Sequence, residues 1–257
     1  MLQAHSLLWH YLWVAPDLLL LFLAILLWRR KFHRQYPVFL IFAVAAATAS
    51  LAVCAADEIR SVSANAFWRV DWASLLVDAL VKFALIGEIF GRVFGLYPSL
   101  AKLGKSFITG VGVVLVLLAT LAAADTPKDN INLIVSGAHI LEQTIYLIEC
   151  GLILFLFVFA AYFKLSWSRS AFGITLGLGV SASVHLATWA LMANGKFPAQ
   201  YRISLDFLNM AAYHVSVLIW FYYLLVPEKN ISGPVDPPPP GHDLEIWNQE
   251  LERLLHK

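Results

Sequence analysis

The sequence has few cysteines and few charged residues, and each shortage excludes a class of protein. Only Cys54 and Cys150 occur in the 257 residues, which excludes a secreted scaffold held together by disulfides. Asp, Glu, Lys and Arg make up 14% of the chain, whereas average globular domains contain about 25%. The net charge is only +1 and no basic patch is visible, so we expect no nucleic-acid partner.

The sequence also lacks the short motifs that mark common catalytic sites. It contains no phosphate-binding glycine loop, no nucleophile elbow and no HExxH pair. Its last apolar segment contains no lysine, which excludes a retinal pigment bound there. These absences favour a protein without catalytic activity.

Long apolar runs are what the sequence has in abundance, since 60% of its residues are hydrophobic. A helix needs about 20 apolar residues to cross a bilayer core of about 30 Å. We therefore predict an all-α fold, a polytopic transmembrane bundle of seven helices whose partner is the lipid bilayer. The third segment is the least apolar, so a bundle of six is the alternative. The predicted spans are 7–28, 37–54, 67–90, 106–124, 137–163, 171–192 and 203–226.

The distribution of Lys and Arg predicts the orientation, because short cytoplasmic loops carry an excess of both. With the N-terminus outside, 12 of these residues fall on the cytoplasmic side and 5 on the outer side. We therefore predict an N-out, C-in protein of the bacterial inner (cytoplasmic) membrane. Its transmembrane domain covers residues 1–226.

The composition changes after residue 226. Residues 227–242 are rich in proline and predict a stiff, extended linker. Residues 243–257 predict a short cytoplasmic amphipathic helix. Its faces outside the apolar stripe are acidic, which suits a protein surface better than anionic lipid. Its target is the basic inner loops of the chain itself, a cytoplasmic partner protein or a second copy. The candidate partner-binding residues are Leu244, Trp247, Leu251 and Leu254.

Small residues predict which helices pack closely. The sixth span contains Gly173 and Gly177 four positions apart, and such pairs let helix backbones approach each other in a membrane. The second span is rich in Ala, Thr and Ser between residues 43 and 52. We interpret both patterns as packing within the bundle.

Several spans carry ionisable residues, although each costs about 2.5–3.5 kcal/mol at the bilayer centre. Their spacing places them in stripes, because residues three, four or seven apart share one face of a helix. His214 lies about a quarter-turn from the stripe of its own helix. The stripes are Asp71, Asp78 and Lys82 in the third span, His139, Glu142, Tyr146 and Glu149 in the fifth, and Asp206, Asn209 and Tyr213 in the seventh.

These stripes predict a shared interior pocket. At about 1.5 Å per residue, acidic, imidazole and amide groups from four spans reach similar depths in the outer half, and lipid cannot solvate them. The alternatives are local: Asp78 and Lys82 form a pair within one helix, and His185 is an ordinary core histidine. The predicted ligand-binding residues are Asp78, Lys82, Glu149, His185, Asp206, Asn209, Tyr213 and His214.

The leading hypothesis is a non-enzymatic sensor that binds a small cationic or polar ligand from outside and signals through its tail. An ion or small-solute transporter is the first alternative, and a metal-dependent membrane hydrolase is the second. A divalent metal would use Glu149, His185 or His214. Ser181 and His185 match one element of seven-helix zinc hydrolases by spacing, but His214 lacks the second histidine that those enzymes have four residues away.

One stretch near the third and fourth spans contains Glu88-Ile89-Phe90, Val93-Phe94, Tyr97-Pro98 and Leu103-Gly104. In this stretch and in its general layout, the chain resembles small, uncharacterised bacterial seven-helix membrane proteins. The layout is also similar to the seven-helix input modules of sensor kinases, with a short helix in place of the kinase. The resemblance implies the fold and no particular activity, and sensing would require a separate output protein.

Overall fold

The computed structural model describes residues 6–59, 62–95, 131–162, 167–193 and 201–226, with only the backbone for 131–141 and 193. It also describes the isolated positions 102, 104, 106, 108–110, 113, 114, 165 and 253. The predicted fourth span lies outside the described residues except for six helical positions. The predicted linker lies outside them entirely, and so does the C-terminal helix apart from residue 253. The described part of the chain is all-α and contains no strand.

Six α-helices coincide with six of the seven predicted segments. Five of them are long and apolar enough to cross a membrane, which indicates a membrane protein; α3 is the exception, because its charged residues lower its hydropathy. A single turn of 3-10 helix, Phe32–Arg34, connects α1 to α2. The helices are α1 (Leu7–Arg29), α2 (Pro37–Glu58), α3 (Ala64–Val93), α4 (Ile131–Tyr162), α5 (Arg169–Ala193) and α6 (Arg202–Leu225).

The helix starts follow from local chemistry. The hydroxyls of Ser6, Ser63 and Ser168 accept hydrogen bonds from backbone N–H groups in the first turns of α1, α3 and α5, which satisfies donors that have no partner within the helix. Pro37 occupies the first turn of α2, where its missing N–H costs nothing. Helix α4 runs without interruption through residues 136 and 137.

The six described helices form a closed ring in chain order, because each contacts the next and α6 contacts α1. Two contacts show the directions of the helices. His10 in α1 lies 2.8 Å from Glu58 at the end of α2, so these helices are antiparallel. The guanidinium of Arg30, just after α1, donates to the carbonyl of Leu225 at the end of α6 (2.9 Å), so α1 and α6 are parallel.

One end of the ring, called here the basic end, collects positive charge. It contains the last turns of α1, α3 and α6 and the first turns of α2 and α5, tied together by a hydrogen bond of 2.8 Å between the hydroxyls of Tyr36 and Ser168. The guanidinium of Arg92 lies 4.2 Å from the centre of the Tyr36 ring. The described basic residues at this end are Arg29, Arg30, Lys31, Arg34, Arg92 and Arg169.

The glycines of α5 pack where the sequence analysis predicted, against α6 within the bundle. A Cβ atom at Gly177 would overlap the indole nitrogen of Trp220, and one at Gly173 would overlap Tyr223. The indole N–H of Trp220 donates to the carbonyl of Ile174 (3.2 Å). Its ring lies edge-to-face against those of Phe39 and Phe42, so the indole cannot shift without disturbing α2.

We predict that Gly177→Ala lowers the free energy of unfolding by about 1–3 kcal/mol, because the added methyl group overfills a closely packed contact. Gly151→Ala is the matched control, since a Cβ atom there meets nothing within 4 Å. Thermal unfolding of both variants in detergent measures the difference. Equal stability of the two variants would show that the α5–α6 contact is looser than described.

Candidate functional site

An open cavity of about 510 Å³ lies inside the ring, towards the end opposite the basic end. Trp9 in the first turn of α1 and Phe67 in the first turn of α3 lie at that end, and both line the cavity. All six described helices contribute lining residues. The volume is within the range of small-molecule sites, about 300–1,000 Å³.

The small residues of α2 create part of this space. Ala46, Ala49 and Ser50 line the cavity, and larger side chains at these positions would fill it. The sequence analysis interpreted the run 43–52 only as a packing surface. In the structure the run 43–52 has two roles. Ala43 and Ala47 are buried in contacts between helices, and the neighbouring small residues leave space for the cavity.

The polar stripe of α3 faces the cavity, as its spacing predicted. Trp68, Asp71, Leu75, Asp78 and Lys82 follow steps of three and four residues and all line the cavity. The opposite face of α3 is apolar and exposed. Its members are Ala73, Val77, Leu80 and Ala84.

Lys82 connects two helices through two carboxylates. Its Nζ lies 2.8 Å from Oδ2 of Asp78 and 3.5 Å from Oε2 of Glu149 in α4. Glu149 is 0% exposed, and among the described residues neither of its carboxylate oxygens has a hydrogen-bond partner. The Asp78–Lys82 pair within α3, which was the alternative prediction, is therefore present. It is part of a buried network that crosses to α4.

A chain of contacts extends this network to α5 and α6. The Lys82 ammonium lies 5.2 Å from the centre of the Tyr146 ring, and that ring stacks on His185 at 4.5 Å. Nδ1 of His185 lies 2.9 Å from the carbonyl oxygen of Ser181, as the core-histidine alternative expected. The hydroxyl of Thr188 then donates to the side-chain carbonyl of Asn209 (2.9 Å).

The structure brings most of the predicted ligand-binding residues together. Glu149 lies behind Lys82 and does not line the cavity. His214 is also absent from the lining, because it lies off the α6 stripe and its ring is 5.9 Å from that of Tyr11. The candidate partner residues Leu244, Trp247, Leu251 and Leu254 lie outside the described residues. The predicted residues that line the cavity are Asp78, Lys82, His185, Asp206, Asn209 and Tyr213.

The metal-ligand candidates do not form a cluster. Within the described part of the chain, no group of three or more His, Cys, Asp or Glu residues is arranged to hold a metal ion. Glu149 is beneath Lys82, His185 stacks on Tyr146, and His214 lies beside Tyr11. These three residues therefore belong to three different environments.

Sequence analysis missed a buried carboxylate in α1. Asp17 is 0% exposed, and its Oδ1 accepts a hydrogen bond from the hydroxyl of Tyr213 in α6 (3.2 Å). The signal was available, because Asp17 is an ionisable residue within the first predicted span. The bond ties the wall of the cavity at Tyr213 to α1.

Sequence analysis also missed the aromatic walls. Trp9 and Trp13 of α1 form an edge-to-face pair with ring centres 6.1 Å apart, and Phe67 and Trp68 of α3 form another at 5.4 Å. All four rings line the cavity. Two features of the sequence indicated these walls. Trp9 and Trp13 are four residues apart, and Trp68 lies on the polar stripe of α3.

We predict that Lys82→Met destabilises the protein by about 3–5 kcal/mol, because removing one partner leaves buried carboxylates without their counter-charge. Adding Glu149→Gln should restore part of that loss, since the amide needs no counter-charge. Chemical or thermal unfolding in detergent gives both values. Arg69→Met, an exposed change in the same helix, is the control, and strictly additive losses in the double variant would contradict the network.

No protein family, curated protein or solved structure matches this chain in the comparisons made. The resemblance of residues 88–104 to small bacterial seven-helix proteins therefore stays a prediction. Function has to be inferred from the cavity, its lining and the buried charges beside it.

Proposed function

We propose that this chain is a seven-span, N-out, C-in protein of the bacterial cytoplasmic membrane, and that its cavity binds a small cationic or polar ligand from outside. It acts as a sensor without catalysing a reaction. In this proposal, the signal reaches the cytoplasm through the predicted amphipathic helix of residues 243–257 and the basic end of the bundle. The cavity itself is the single observation that carries the proposal.

Two observations support seven spans. The exposed face of α3 is apolar at positions such as Val77 and Leu80, as expected of a helix whose opposite, charged face is turned away from lipid. Helices α3 and α4 also run in the same direction, because Phe94 at the end of α3 lies 5.9 Å from Phe159 near the end of α4. Two neighbouring helices that run in the same direction need a further crossing between them, which supports the fourth span predicted at 106–124.

The basic end supports the orientation. Arginine and lysine are enriched on the cytoplasmic side of membrane proteins, and the described residues Arg29, Arg30, Arg34, Arg92 and Arg169 lie together there. The cavity is at the other end, where the described basic residues are Arg69 and Arg202. This arrangement supports a cavity that opens on the outer side.

The charges around the cavity support a cationic or polar ligand. Asp71, Asp78, Glu142 and Asp206 contribute carboxylates to the lining, and Lys82 contributes an ammonium. A cleft lined mostly by one sign of charge raises the local concentration of ions of the other sign. The site is therefore expected to attract cations and to repel anions.

The floor of the cavity favours binding without passage. Phe42 and Trp220 line its deepest part and meet edge-to-face at 5.5 Å, and Phe39, 0% exposed, lies next to both towards the basic end. A ligand that enters from outside meets these rings before it reaches the basic end. A closed floor supports binding from one side, and the uptake experiment below distinguishes a receptor from a transporter that is open to the outside.

Cysteine labelling tests the proposal. In a background of Cys54→Ala and Cys150→Ala, we compare the rates with a membrane-impermeant trimethylammonium methanethiosulfonate and with its sulfonate analogue. We predict that the ratio of the two rates is about tenfold higher for Ser74→Cys than for an exposed reference cysteine, because the lining attracts cations. Ser74 lines the cavity. The rates are measured on bacterial spheroplasts, where only outer positions are accessible.

Two control variants calibrate the labelling. Ser204→Cys, exposed at the start of α6 on the same side, is the reference cysteine and gives the intrinsic ratio of the two rates. Gln35→Cys, exposed at the basic end, should react only after the membrane is permeabilised. Labelling of Gln35→Cys in intact spheroplasts would overturn the orientation, and an unreactive Ser74→Cys would overturn the open cavity.

Transport is the second candidate, favoured by Asp17 and Glu149. Both carboxylates are 0% exposed, and buried carboxylates in membrane helices are typical of proton relays. Under the leading proposal, we predict that proteoliposomes take up no more labelled tetraethylammonium than empty liposomes when a proton gradient is applied. Uptake that is abolished by Asp17→Asn would establish the transporter instead.

A further inference from the structure

We infer that Asp17 is a proton-binding site behind the cavity wall: at neutral pH its carboxyl group holds a proton, which it exchanges with water in the cavity. The inference goes beyond the proposed function, because Asp17 does not line the cavity and the site needs no further ligand. Three features carry it: the burial of the carboxyl group, the lack of a counter-charge among its described neighbours, and the two hydroxyl groups between it and the cavity.

The carboxyl group of Asp17 is buried with very little hydrogen bonding. The residue is 0% exposed. Its Oδ1 accepts a hydrogen bond of 3.2 Å from the hydroxyl of Tyr213, which is longer than the typical O–H···O distance of about 2.5–3.0 Å. Its Oδ2 has no hydrogen-bond partner among the described residues. An ionised carboxylate would lose its hydration here and gain only one long hydrogen bond, so the neutral acid is the more stable form.

Within the described part of the chain, no basic side chain pairs with Asp17. The ion pairs found there are His10–Glu58, Lys82–Asp78, Lys82–Glu149 and Arg92–Glu88. Two carboxyl groups are 0% exposed, those of Asp17 and Glu149, and they differ in this respect. Glu149 has the Lys82 ammonium beside it, whereas Asp17 has no cation to balance a negative charge.

The titratable groups that face Asp17 come from three other helices. They are the thiol of Cys54 in α2, the carboxylate of Asp78 in α3 and the phenol of Tyr213 in α6. The ammonium of Lys82 lies 2.8 Å from Asp78, which takes up its charge. The surroundings of Asp17 therefore consist of neutral groups and a carboxylate that is already paired. None of them provides a positive charge that would stabilise an ionised Asp17.

Two hydroxyl groups connect Asp17 to the cavity. Tyr213 donates to Oδ1, Ser50 of α2 faces the same carboxyl group, and both residues line the cavity. A serine hydroxyl accepts as well as donates, so the O–H of the neutral acid at Oδ2 has an acceptor in Ser50. The proton comes from water in the cavity and returns to it. The O–H bond at Oδ2 is the bond that forms and breaks.

The protonation state of Asp17 affects how α1 is held in the ring. The neutral acid stays dry between α1 and α6, with the Tyr213 bond across the contact. Loss of the proton leaves a charge that requires water or a partner, because a bare carboxylate is costly inside a membrane bundle. Alkaline conditions in the cavity therefore loosen the contact between α1 and α6.

Infrared spectroscopy tests the inference, because the C=O stretch of a carboxylic acid is separate from the bands of a carboxylate. The full chain is measured at neutral pH in a maltoside detergent, which contains no carbonyl group of its own. We expect a carboxylic-acid band in the wild-type protein and its loss in Asp17→Asn. Identical bands in the two proteins, or no such band in the wild type, would overturn the inference.

Glu149→Gln is the matched control for the loss of a buried acid. Glu149 is as buried as Asp17, but its carboxylate lies 3.5 Å from the Lys82 ammonium. We therefore expect Glu149→Gln to keep the band that Asp17→Asn removes. A band that is lost in Glu149→Gln and kept in Asp17→Asn would place the proton on the other carboxyl group and reject the site.

Tyr213→Phe gives a signature that is specific to this pair of residues. Without the hydrogen bond to Oδ1, the C=O bond of the acid strengthens, so we expect its band to move to higher frequency. Tyr222→Phe is the control in the same helix, since Tyr222 is 59% exposed, and it should leave the band in place. A band that Tyr213→Phe does not move belongs to another carboxyl group, and the inference then fails.

Thermal unfolding at different pH values is a second measurement. The unfolded chain releases an aspartic acid proton at a pH of about 4, whereas the folded protein keeps the proton of Asp17 at neutral pH. The folded state binds one proton more in this range, so its stability falls as the pH rises. We expect the melting temperature of the wild type to fall more steeply between mildly acidic and neutral pH than that of Asp17→Asn. Equal slopes would contradict the inference.

The proton site and the proposed receptor fail in different experiments. If Ser74→Cys shows no preference for the cationic reagent while the acid band is present, the cation-binding cavity is rejected and the proton site is retained. If Ser74→Cys prefers the cationic reagent and the acid band is missing, the receptor is retained and the proton site is rejected.

Discussion

The burial of the Lys82 ammonium is the constraint on which the rest of the bundle depends. A buried ammonium group needs carboxylates or water around it, so α3 turns this side towards other helices. There the ammonium meets Asp78 at 2.8 Å and Glu149 at 3.5 Å. Lys82 supplies the counter-charge for both carboxylates, which joins α3 to α4 by charge as well as by packing.

This constraint also explains why the cavity exists. Once the charged stripe of α3 faces inwards, the neighbouring helices must provide either counter-charges or space for water. Helix α2 provides space through small residues such as Ala49 and Ser50, and α1 provides the tryptophan wall. Trp220 closes the floor because Gly177 has no side chain to displace it. The cavity is therefore a consequence of contrasting side-chain sizes on adjacent helices.

The two ends of the bundle differ in how their polar groups are used. At the basic end the polar groups contact neighbouring helices. Arg92 lies over the Tyr36 ring. Glu88 faces the backbone N–H groups of Val38 and Phe39 at the start of α2, where the helix dipole favours an acid. At the opposite end carboxylates and aromatic rings surround an open volume. The basic end is therefore closed by contacts between helices, whereas the opposite end is open.

Periodicity along the chain was enough to assign six helices, the polar stripe of α3 and the position of His214 off the stripe of α6. It was enough because the α-helix repeats every 3.6 residues, so spacing alone states which residues share a face. It did not reveal that Glu149 lies behind Lys82, that Asp17 bonds to Tyr213, or that tryptophans of α1 and α3 line the same cavity. Those relations depend on which helices are neighbours and how far each is rotated, and contacts between residues as much as 196 positions apart leave no trace in local spacing.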